Sequence, residues 1–421
     1  MGEYLKLNIL DKKYNDKNIF ESRLLPFANS ELKFSNLIKA ELLTHGEDVK
    51  TVYDLTLSLN EKFDYLPGDT IGILAQNNLD EVNNLLDRLN LTGVADNEYC
   101  LSILEGTIKK NPTLPKHVPK NGSIRNIFVN NIDIRTPPKK LFLKNLLIHT
   151  SDSKDSDFLK HITSTLGTQD YMKFINNEGR TLLGLLNILS SCLPPVEIII
   201  ENSVNLQPRP YSISSSPLLN NKLNITFFVT EISKNVKGVC TGWLENIIKD
   251  KSDVKIPFYF RKPNNFRLAL DFHVPLILIG TGTGIAPFIG FLKSLELGKP
   301  QHLEDIWLFH GFRYTDRDAL YKNEISDYCK SVLTKYFACC SREDNKVYVQ
   351  HKIKENGKGF IDLVMVKGAS IFICGNLKTV VKDVKSTILK LLGTYGKLNE
   401  QDAKNYLAQL ETNKKLLVDS W

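Results

Sequence analysis

Three side chains suited to binding a phosphorylated aromatic cofactor stand together near the middle of the chain. The segment Arg209-Pro-Tyr-Ser212 offers a guanidinium, a phenol and a hydroxyl. Successive side chains of an extended segment point to opposite faces, so Arg209 and Tyr211 share one face and Ser212 takes the other. An arginine fork reaches two pyrophosphate oxygens, a tyrosine gives a flat surface for an isoalloxazine ring, and a serine can hydrogen-bond at its N5 edge. An edge strand with a polar turn is the alternative interpretation.

A second anion-binding pattern follows shortly downstream. The run Gly238-Val-Cys-Thr-Gly-Trp-Leu244 indicates a glycine turn that opens a helix. Free N–H groups at the start of a helix form a natural phosphate site, so a second pyrophosphate contact favours a flavin site. Arg261 and Arg267 could add nucleotide contacts or could lie on the surface.

The glycine-rich run Gly280-Thr-Gly-Thr-Gly284 predicts a second nucleotide site. It follows the apolar residues 276–279 and precedes a helical pattern over 286–292, which is the strand–turn–helix order that pyrophosphate binding requires. The run is not Gly-x-Gly-x-x-Gly, and no Asp or Glu closes the next strand to bind a ribose 2′-hydroxyl.

A later cluster indicates which dinucleotide would bind. Ser341, Arg342, Lys346 and Tyr348 supply a hydroxyl, two cations and an aromatic ring. Such a cluster suits a ribose 2′-phosphate and its adenine, which favours NADPH over NADH, whereas an exposed basic loop is the alternative. Cys374 ends an apolar strand, where doubly wound sheets bind ligands, although a buried structural thiol would give the same pattern.

Apolar periodicity divides the chain into β-rich and helical stretches. Alternation over 52–59 predicts a half-buried antiparallel strand. Residues 82–89, 140–147 and 182–189 instead have helical spacing, and a strand is expected to resume at 196–200. From about residue 272, strands alternate with helices, which predicts βαβ units on a parallel sheet.

These patterns predict an α/β and β multidomain chain. Its parts would be a leader or linker remnant (1–35), a first antiparallel β-rich stretch (36–80), a helical insert (81–195), a second β-rich stretch (196–271) and a domain with a doubly wound parallel sheet (272–421).

Composition argues against several classes of protein. The 421 residues carry a formal net charge of +7 without a basic, aromatic-rich run, so no nucleic acid partner is expected. Seven scattered cysteines show neither metal-ligand spacing nor a disulfide framework, so no metal site is expected. With neither a signal peptide nor a long apolar run, the chain is expected to be cytoplasmic and to have no membrane partner.

Taken together, the motifs resemble the ferredoxin-reductase-like portion of the diflavin reductases. The resemblance covers about residues 35 to 421 and rests on Arg209-Pro-Tyr-Ser212, the glycine turns at Gly238 and Gly280, Asp316-Arg-Asp318, Ser341-Arg342 and Cys374-Gly375. The helical insert is most similar to the branch of the family that serves methionine synthase, through Pro138-Lys-Lys140, Thr150-Ser-Asp-Ser153 and Pro194-Pro195.

The resemblance implies that residues 36–80 and 196–271 form the two parts of an antiparallel FAD-binding β-barrel, that 81–195 form a helical connecting insert and that 272–421 form a doubly wound, parallel-sheet NADPH domain.

The resemblance implies roles for single residues as well. FAD would be held by Arg209, Pro210, Tyr211, Ser212, Gly238, Val239, Cys240 and Thr241. NADPH would be held by Lys50, Thr283, Ser341, Arg342, Lys346, Val347, Tyr348 and Asp383. Ser212, Cys374 and Asp419 match the group that assists hydride transfer. Trp421 matches an aromatic residue that covers the flavin ring until nicotinamide displaces it.

Several positions depart from the family pattern. Thr281 stands where a proline is usual, Asn376 stands where an aspartate is usual, and the segment before Arg313 lacks the usual cysteine. None of these changes removes a group that the chemistry needs.

The resemblance also implies partners. The family pattern begins with a flavodoxin-like FMN domain, for which the first 35 residues offer no motif, so FMN is expected to come from a separate domain or partner. The implied activity carries electrons from NADPH through FAD to that flavodoxin-like acceptor, and from there to cobalamin on methionine synthase. A component similar to cytochrome P450 reductase or sulfite reductase is the alternative enzyme. A flavin-free scaffold for methionine synthase is the non-enzymatic alternative.

Overall fold

A computed structural model gives the architecture of the chain. It describes residues 4–15, 20, 22–46, 48–59, 61, 63–219, 221–233, 236–269, 273–298 and 304–420. The chain divides into two compact units. The first, called here the helical unit, comprises Met1–Pro26 and Leu74–Arg209. The second, called the sheet unit, comprises Phe27–Ile73 and Pro210–Trp421.

The strands, numbered along the chain, are β1 (Leu5–Lys13), β2 (Lys33–Ser35), β3 (Leu37–Leu42), β4 (Val52–Ser58), β5 (Thr70–Ile73), β6 (Asn97–Ile103), β7 (Asn121–Gly122), β8 (Arg209–Ser212), β9 (Lys222–Phe228), β10 (Glu231–Ser233), β11 (Val236–Lys237), β12 (Ile256–Phe260), β13 (Leu276–Thr281), β14 (Ile306–Phe312), β15 (Lys335–Cys340), β16 (Ser370–Gly375) and β17 (Leu416–Ser420).

The α-helices are α1 (Leu79–Arg88), α2 (Ile124–Asn126), α3 (Lys140–Leu146), α4 (Ser153–Thr163), α5 (Thr168–Tyr171), α6 (Leu182–Ile188), α7 (Val196–Asn202), α8 (Val239–Lys249), α9 (Ala286–Gly298), α10 (Lys322–Ser331), α11 (Val349–Glu355), α12 (Gly357–Ile361), α13 (Lys382–Thr394) and α14 (Glu400–Thr412).

The helical unit encloses an apolar core of its own. The helices predicted at 82–89, 140–147 and 182–189 are confirmed as α1, α3 and α6, whose apolar faces enter that core. Asn78 starts α1, because its side chain accepts hydrogen bonds from the backbone N–H groups of Asp80 and Glu81. A small antiparallel sheet with the strand order β1-β6-β7 completes the unit.

The strand expected at 196–200 is wrong, because these residues begin helix α7. A run of valine and isoleucine is typical of strands, but Glu197 and Glu201 lie four residues apart and therefore share one helical face. The Glu201 carboxylate accepts hydrogen bonds from the backbone N–H groups of Tyr4 and Leu5 at 2.7 Å each, and Glu197 accepts one from Leu7 at 3.2 Å. This contact with β1 is long-range, so local propensity could not predict it.

Strand β1 lies within the segment predicted to be a leader or linker remnant. Leu5 and Leu7 are buried in the core of the helical unit, whereas most later residues of β1 are exposed. That uneven burial leaves a weak alternating pattern in the sequence. The helical unit also extends beyond the predicted insert of 81–195, and the predicted domain boundaries stay predictions.

The sheet unit contains a four-stranded sheet of order β2-β12-β5-β8, a three-stranded antiparallel sheet of order β3-β4-β9 and the antiparallel pair β10-β11. The strand predicted at 52–59 is confirmed as β4. Gly68 forms the turn before β5 at a φ of +96°, and a Cβ there would lie 2.1 Å from the backbone oxygen of Phe266. Asp69 then binds the Arg267 guanidinium, with Nε–Oδ1 at 2.9 Å. Arg267 therefore fixes the end of this turn.

The sheet unit also contains a five-stranded parallel sheet with the order β15-β14-β13-β16-β17, as the alternation after residue 272 predicts. Within β13, Leu276 and Leu278 enter one apolar cluster while Ile277 and Ile279 enter another. Both faces of the sheet are therefore covered. The first strand is central and later strands add on either side, which creates a ligand-binding crevice at their carboxyl ends.

Within the described ranges, no helix combines the length and apolar character needed to cross a membrane. Nor does that part of the chain bring three His, Cys, Asp or Glu side chains together in a way that could hold a metal ion.

Candidate functional site

The glycine-rich turn lies where the sequence predicts it. Strand β13 is followed by a 3₁₀ turn, Gly282–Ile285, and then by α9. A Cβ on Gly280 would lie 2.9 Å from the Gly284 backbone oxygen, and Gly282 has a φ of +54°. The turn therefore requires glycine at these positions.

Thr281 fits because the facing strands also carry glycine. A Cβ on Gly311 would lie 2.7 Å from Thr281 Cγ2, and one on Gly375 would lie 3.0 Å from Thr281 Oγ1. The change from the family's proline is thus accommodated by two neighbouring glycines.

A cavity of about 640 Å³ opens at this turn. Residues from β4 and β9 form part of its wall, and residues at or after the carboxyl ends of β13, β14, β15 and β16, together with α11 and α13, form other parts. It brings together six of the residues predicted to hold NADPH: Lys50, Thr283, Ser341, Val347, Tyr348 and Asp383. Arg342 and Lys346 are exposed and stand outside the described lining.

Two cations face this cavity, of which the sequence predicted one. Burial, and secondarily the charge of Arg313, lower the pKa of Lys50. Because both side chains line the cavity, an anion between them would relieve their repulsion. Asp318 positions Arg313, since its carboxylate accepts hydrogen bonds from the backbone N–H groups of Arg313 at 3.0 Å and Tyr314 at 2.6 Å. The motif Asp316-Arg-Asp318 was the sequence feature from which the position of Arg313 could have been predicted.

Asn376 is a second lining residue to which the sequence assigned no role. Its side-chain oxygen accepts hydrogen bonds from the backbone N–H groups of Lys378 at 3.0 Å and Thr379 at 3.2 Å. Asparagine therefore supplies the same acceptor as the family's aspartate without the negative charge. Its position directly after β16 was a usable signal, because ligands bind at the carboxyl ends of parallel strands.

The flavin motifs are also brought together within the sheet unit. The Tyr211 hydroxyl donates a hydrogen bond to Cys240 Sγ at 3.3 Å. Cys240 lies in the first turn of α8. The N-cap residue of this helix is Gly238, which has no side chain that could cap the first N–H groups. Thr241 Oγ1 accepts a hydrogen bond from the Thr230 backbone N–H at 3.1 Å, which holds the turn against the preceding strand. The open N-terminus of α8 therefore suits a phosphate.

Arg209 is exposed at the start of β8, and the segment before it is firmly anchored within the helical unit. The Leu206 N–H donates to the Asn131 backbone oxygen at 2.9 Å. The Leu206 oxygen accepts from the Arg23 guanidinium at 3.1 Å, and the same guanidinium also donates to the Ala75 oxygen at 3.1 Å. Sequence reasoning missed Arg23 because it lies in the supposed leader.

The three residues expected to assist hydride transfer meet at one carboxylate. Ser212 Oγ donates a hydrogen bond to Asp419 Oδ2 at 3.0 Å, and Cys374 Sγ lies 4.0 Å from the same oxygen. Cys374 and Asp419 are register partners on β16 and β17. Trp421, the expected flavin cover, lies outside the described residues.

Burial has the largest effect on the pKa values of Asp419 and Cys374. It raises the pKa of Asp419, although the hydrogen bond from Ser212 and the charge of Arg261 partly oppose that rise. Burial, with the Asp419 charge second, raises the pKa of the Cys374 thiol well above its ordinary value. Cys374 is therefore a neutral thiol next to a carboxylate. Arg261, assigned no definite role from the sequence, acts here through its charge.

The residues present fit two nucleotide cofactors. The glycine turn leaves no space for a Cβ at Gly280, the adjacent cavity presents two cations, and α8 begins without a side-chain cap in the described chain. These features define a flavoprotein reductase with a ferredoxin-reductase-like fold. Residues 25–243 match the family model of the FAD binding domain, and residues 278–386 match that of the oxidoreductase NAD-binding domain. FAD and NADPH are the cofactors that these domains support.

The relatives narrow the class. Rat methionine synthase reductase is 33% identical over 100% of this chain and 65% of its own length. The human protein of that name is 35% identical over 91% of this chain and 60% of its own length. House fly NADPH–cytochrome P450 reductase is 32% identical over 70% of this chain and 46% of its own length. The chain belongs to the diflavin reductase family and spans 60% to 65% of those two methionine synthase reductases.

Cys374 should resist alkylation in the native protein, because the thiolate is the reactive form and burial disfavours it. We expect N-ethylmaleimide at about pH 8 to label exposed Cys329 and half-buried Cys340 well before Cys374. Peptide mass spectrometry would measure each site, with urea-denatured protein as the control in which all three react. Labelling of native Cys374 as fast as that of Cys329 would contradict the burial described here.

Proposed function

We propose that the chain is an NADPH-dependent FAD reductase that passes electrons to an FMN-bearing, flavodoxin-type acceptor. The observation that carries the proposal is the meeting of Ser212, Cys374 and Asp419, with Ser212 Oγ 3.0 Å and Cys374 Sγ 4.0 Å from one Asp419 oxygen. When bound, NADPH supplies a hydride and FAD accepts it. The protein's own contribution is to align the two and to exclude competing reactions.

Each member of the group has a distinct task in this proposal. Ser212 would offer its hydroxyl to a bound flavin, Asp419 fixes the orientation of that hydroxyl, and the neutral Cys374 thiol would contact a bound nicotinamide. By the family resemblance, Trp421, which lies outside the described residues, would cover the flavin ring before a nicotinamide arrives. FAD is held by Arg209, Pro210, Tyr211, Ser212, Gly238, Val239, Cys240 and Thr241. NADPH is held by Lys50, Thr283, Ser341, Arg342, Lys346, Val347, Tyr348 and Asp383.

The proposal extends to domain organisation. The antiparallel strands within 36–80 and 196–271 close into an FAD-binding barrel, interrupted by the connecting insert at 81–195, and 272–421 form the NADPH domain. The order of the two matched family models supports this assignment.

We further propose that the electrons serve the reductive reactivation of cobalamin-dependent methionine synthase. Two relatives with that reductase name, at 33% and 35% identity, support this acceptor. Delivery to a cytochrome P450 is the second candidate, favoured by the 32% identity with the house fly enzyme over a smaller share of the chain. The test supplies the FAD-loaded chain with NADPH and a flavodoxin. It then compares the rate of methionine synthase reactivation with the rate of cytochrome P450 reduction.

The central experiment is anaerobic reduction of the FAD-reconstituted chain. We expect NADPH to bleach the flavin absorption band and NADH to do so far more slowly. Protein that binds FAD but is not bleached by NADPH would rule out the reductase, and protein that cannot take up FAD would favour the scaffold alternative. Free FAD without protein is the control for uncatalysed reduction.

The preference for NADPH should depend on Ser341 and Arg342. Replacing both with alanine removes a hydroxyl and a guanidinium from the expected 2′-phosphate site. Since a hydrogen bond to a charged group contributes about 1.5–3 kcal/mol, the ratio of kcat/KM for NADPH over NADH should fall by roughly 10- to 100-fold. Asn345→Ala, an exposed change in the same loop, is the matched control. An unchanged ratio in the double variant would place the 2′-phosphate elsewhere.

Ser212→Ala should slow flavin reduction by roughly 10- to 100-fold at saturating NADPH, with the rate expressed per bound FAD. The Ser212 hydrogen bond lowers the pKa of Asp419, so its removal raises that pKa further. As the pH falls, Asp419 then becomes protonated at a higher pH than in the parent protein. The acid limb of the plot of reduction rate against pH should therefore shift to higher pH. Stopped-flow reduction across pH measures both effects. Asp419→Asn should abolish this limb, and a limb that persists in that variant would rule out Asp419 as its source.

A further inference from the structure

A buried polar cluster lies beside the cavity, and no cofactor role has been given to it. The Tyr321 hydroxyl donates a hydrogen bond to Asp54 Oδ2 and bonds with Thr226 Oγ1 at 2.5 Å. The Asn224 amide donates to Asp54 Oδ1 at 2.7 Å and to Thr56 Oγ1 at 2.9 Å. Tyr321 is 7% exposed and Thr226 is 6% exposed. A buried network this complete holds its members in one arrangement.

The cluster joins two parts of the sheet unit. Asp54 on β4 and Thr226 on β9 are register partners in the antiparallel sheet β3-β4-β9. Tyr321 immediately precedes α10, which packs into the apolar cluster on one face of the parallel sheet. Its hydroxyl therefore ties the sheet β3-β4-β9 to the start of the helix that packs on the parallel sheet.

The backbone at Tyr321 is strained. Tyr321 has a φ of +58° and a ψ of +33°, which is the left-handed region. A bulky residue rarely adopts that conformation, and such outliers persist where the surrounding contacts force them. The hydroxyl contacts with Asp54 and Thr226 are available to Tyr321 in this conformation, so they offset part of its cost.

The cluster is continuous with the walls of the cavity. Val52 and Phe228 line the cavity, are themselves register partners, and lie two residues from Asp54 and Thr226. Residues two apart in a strand project from the same face. Leu320, which also lines the cavity, directly precedes Tyr321. A shift at Tyr321 would therefore move two parts of the cavity wall, one formed by Val52 and Phe228 and the other by Leu320.

The protonation states of Tyr321 and Asp54 favour the hydrogen bond between them. Burial, with the Asp54 charge second, raises the pKa of Tyr321 well above its ordinary value, so the phenol stays a donor. Burial also raises the pKa of Asp54, and the hydrogen bonds from Tyr321 and Asn224 partly oppose that rise. The charges of Glu41 and Glu324 act on Asp54 in the same direction as burial.

We propose that Asp54, Thr226 and Tyr321 form a clasp that sets the approach of hydride donor and acceptor without touching either cofactor. They are positioning residues: the clasp fixes the two cavity walls, and the walls fix the angle at which a nicotinamide enters. The effect on hydride transfer rests on the proposed function, whereas the clasp as a mechanical link does not.

Tyr321→Phe tests the clasp in the full chain, because it removes one hydroxyl and keeps the ring. We expect flavin reduction at saturating NADPH to slow by about 10-fold, since small misalignments are costly in hydride transfer. FAD content and the Kd for NADP⁺ should change by less than about 2-fold, because the binding residues are untouched. Tyr328→Phe, in the helix that Tyr321 precedes and also buried, is the matched control and should behave as the parent protein.

Several outcomes would overturn the proposal. One is a parent-like reduction rate in Tyr321→Phe, and another is an equal loss in Tyr328→Phe. A variant that loses FAD and NADP⁺ affinity together with rate would show a merely structural role. Combining Tyr321→Phe with Asp54→Asn should cost little more than either change alone, as expected for partners in one contact, whereas additive losses would contradict a shared clasp.

Amide hydrogen exchange separates the clasp from the proposed function. In the FAD-loaded protein without NADPH, we expect Tyr321→Phe to exchange faster than the parent at residues 224–228 and 320–325, because the link between them is weakened. Exchange unchanged at both segments would overturn the clasp. If the parent protein fails to accept electrons from NADPH, the proposed function falls while this measurement still decides the clasp.

Discussion

Asp419 is a half-buried carboxylate that accepts a hydrogen bond from Ser212, which is distant along the chain, and whose pKa the charge of Arg261 lowers. Its carboxylate lies where β17 ends beside β16, and that register places Cys374 next to it. An ionised group in such a position is costly unless it is hydrogen-bonded. The four-stranded sheet that carries Ser212 and the parallel sheet that carries Cys374 must therefore keep a fixed relation within the sheet unit.

Glycine makes that relation sterically possible on the nucleotide side. Thr281 occupies the space that side chains at Gly311 and Gly375 would need, so three neighbouring strand ends meet closely around one small residue. The proposed clasp of Asp54, Thr226 and Tyr321 would hold the wall formed by β4 and β9 in place, through hydroxyl and carboxylate groups. Apolar packing holds the strands in layers, and the polar contacts select one alignment of those layers.

Several features could be predicted locally because their causes are local. Helices α1, α3 and α6 follow from apolar spacing, and the turn after β13 follows from its glycines. The failures share a different cause. Residues 196–200 lie in a helix on which Glu197 and Glu201 accept hydrogen bonds from the backbone of β1, and Arg23 anchors Leu206 from a segment with little pattern. These partners lie far apart in sequence, so no local window contains both.

The sequence by itself determined the types of group available: the arginine, tyrosine and serine of one strand, the two glycine turns, the hydroxyl and cations of the 341–348 loop, and the thiol at a strand end. Tertiary structure alone decided which of these groups meet. It brought Ser212 and Cys374 to the same Asp419 oxygen, added Arg313 to the cavity, left Arg342 and Lys346 outside its described lining, and joined Tyr321 to Asp54. The reason is physical: residue type sets the chemistry of a side chain, whereas strand register and burial set its neighbours and its pKa.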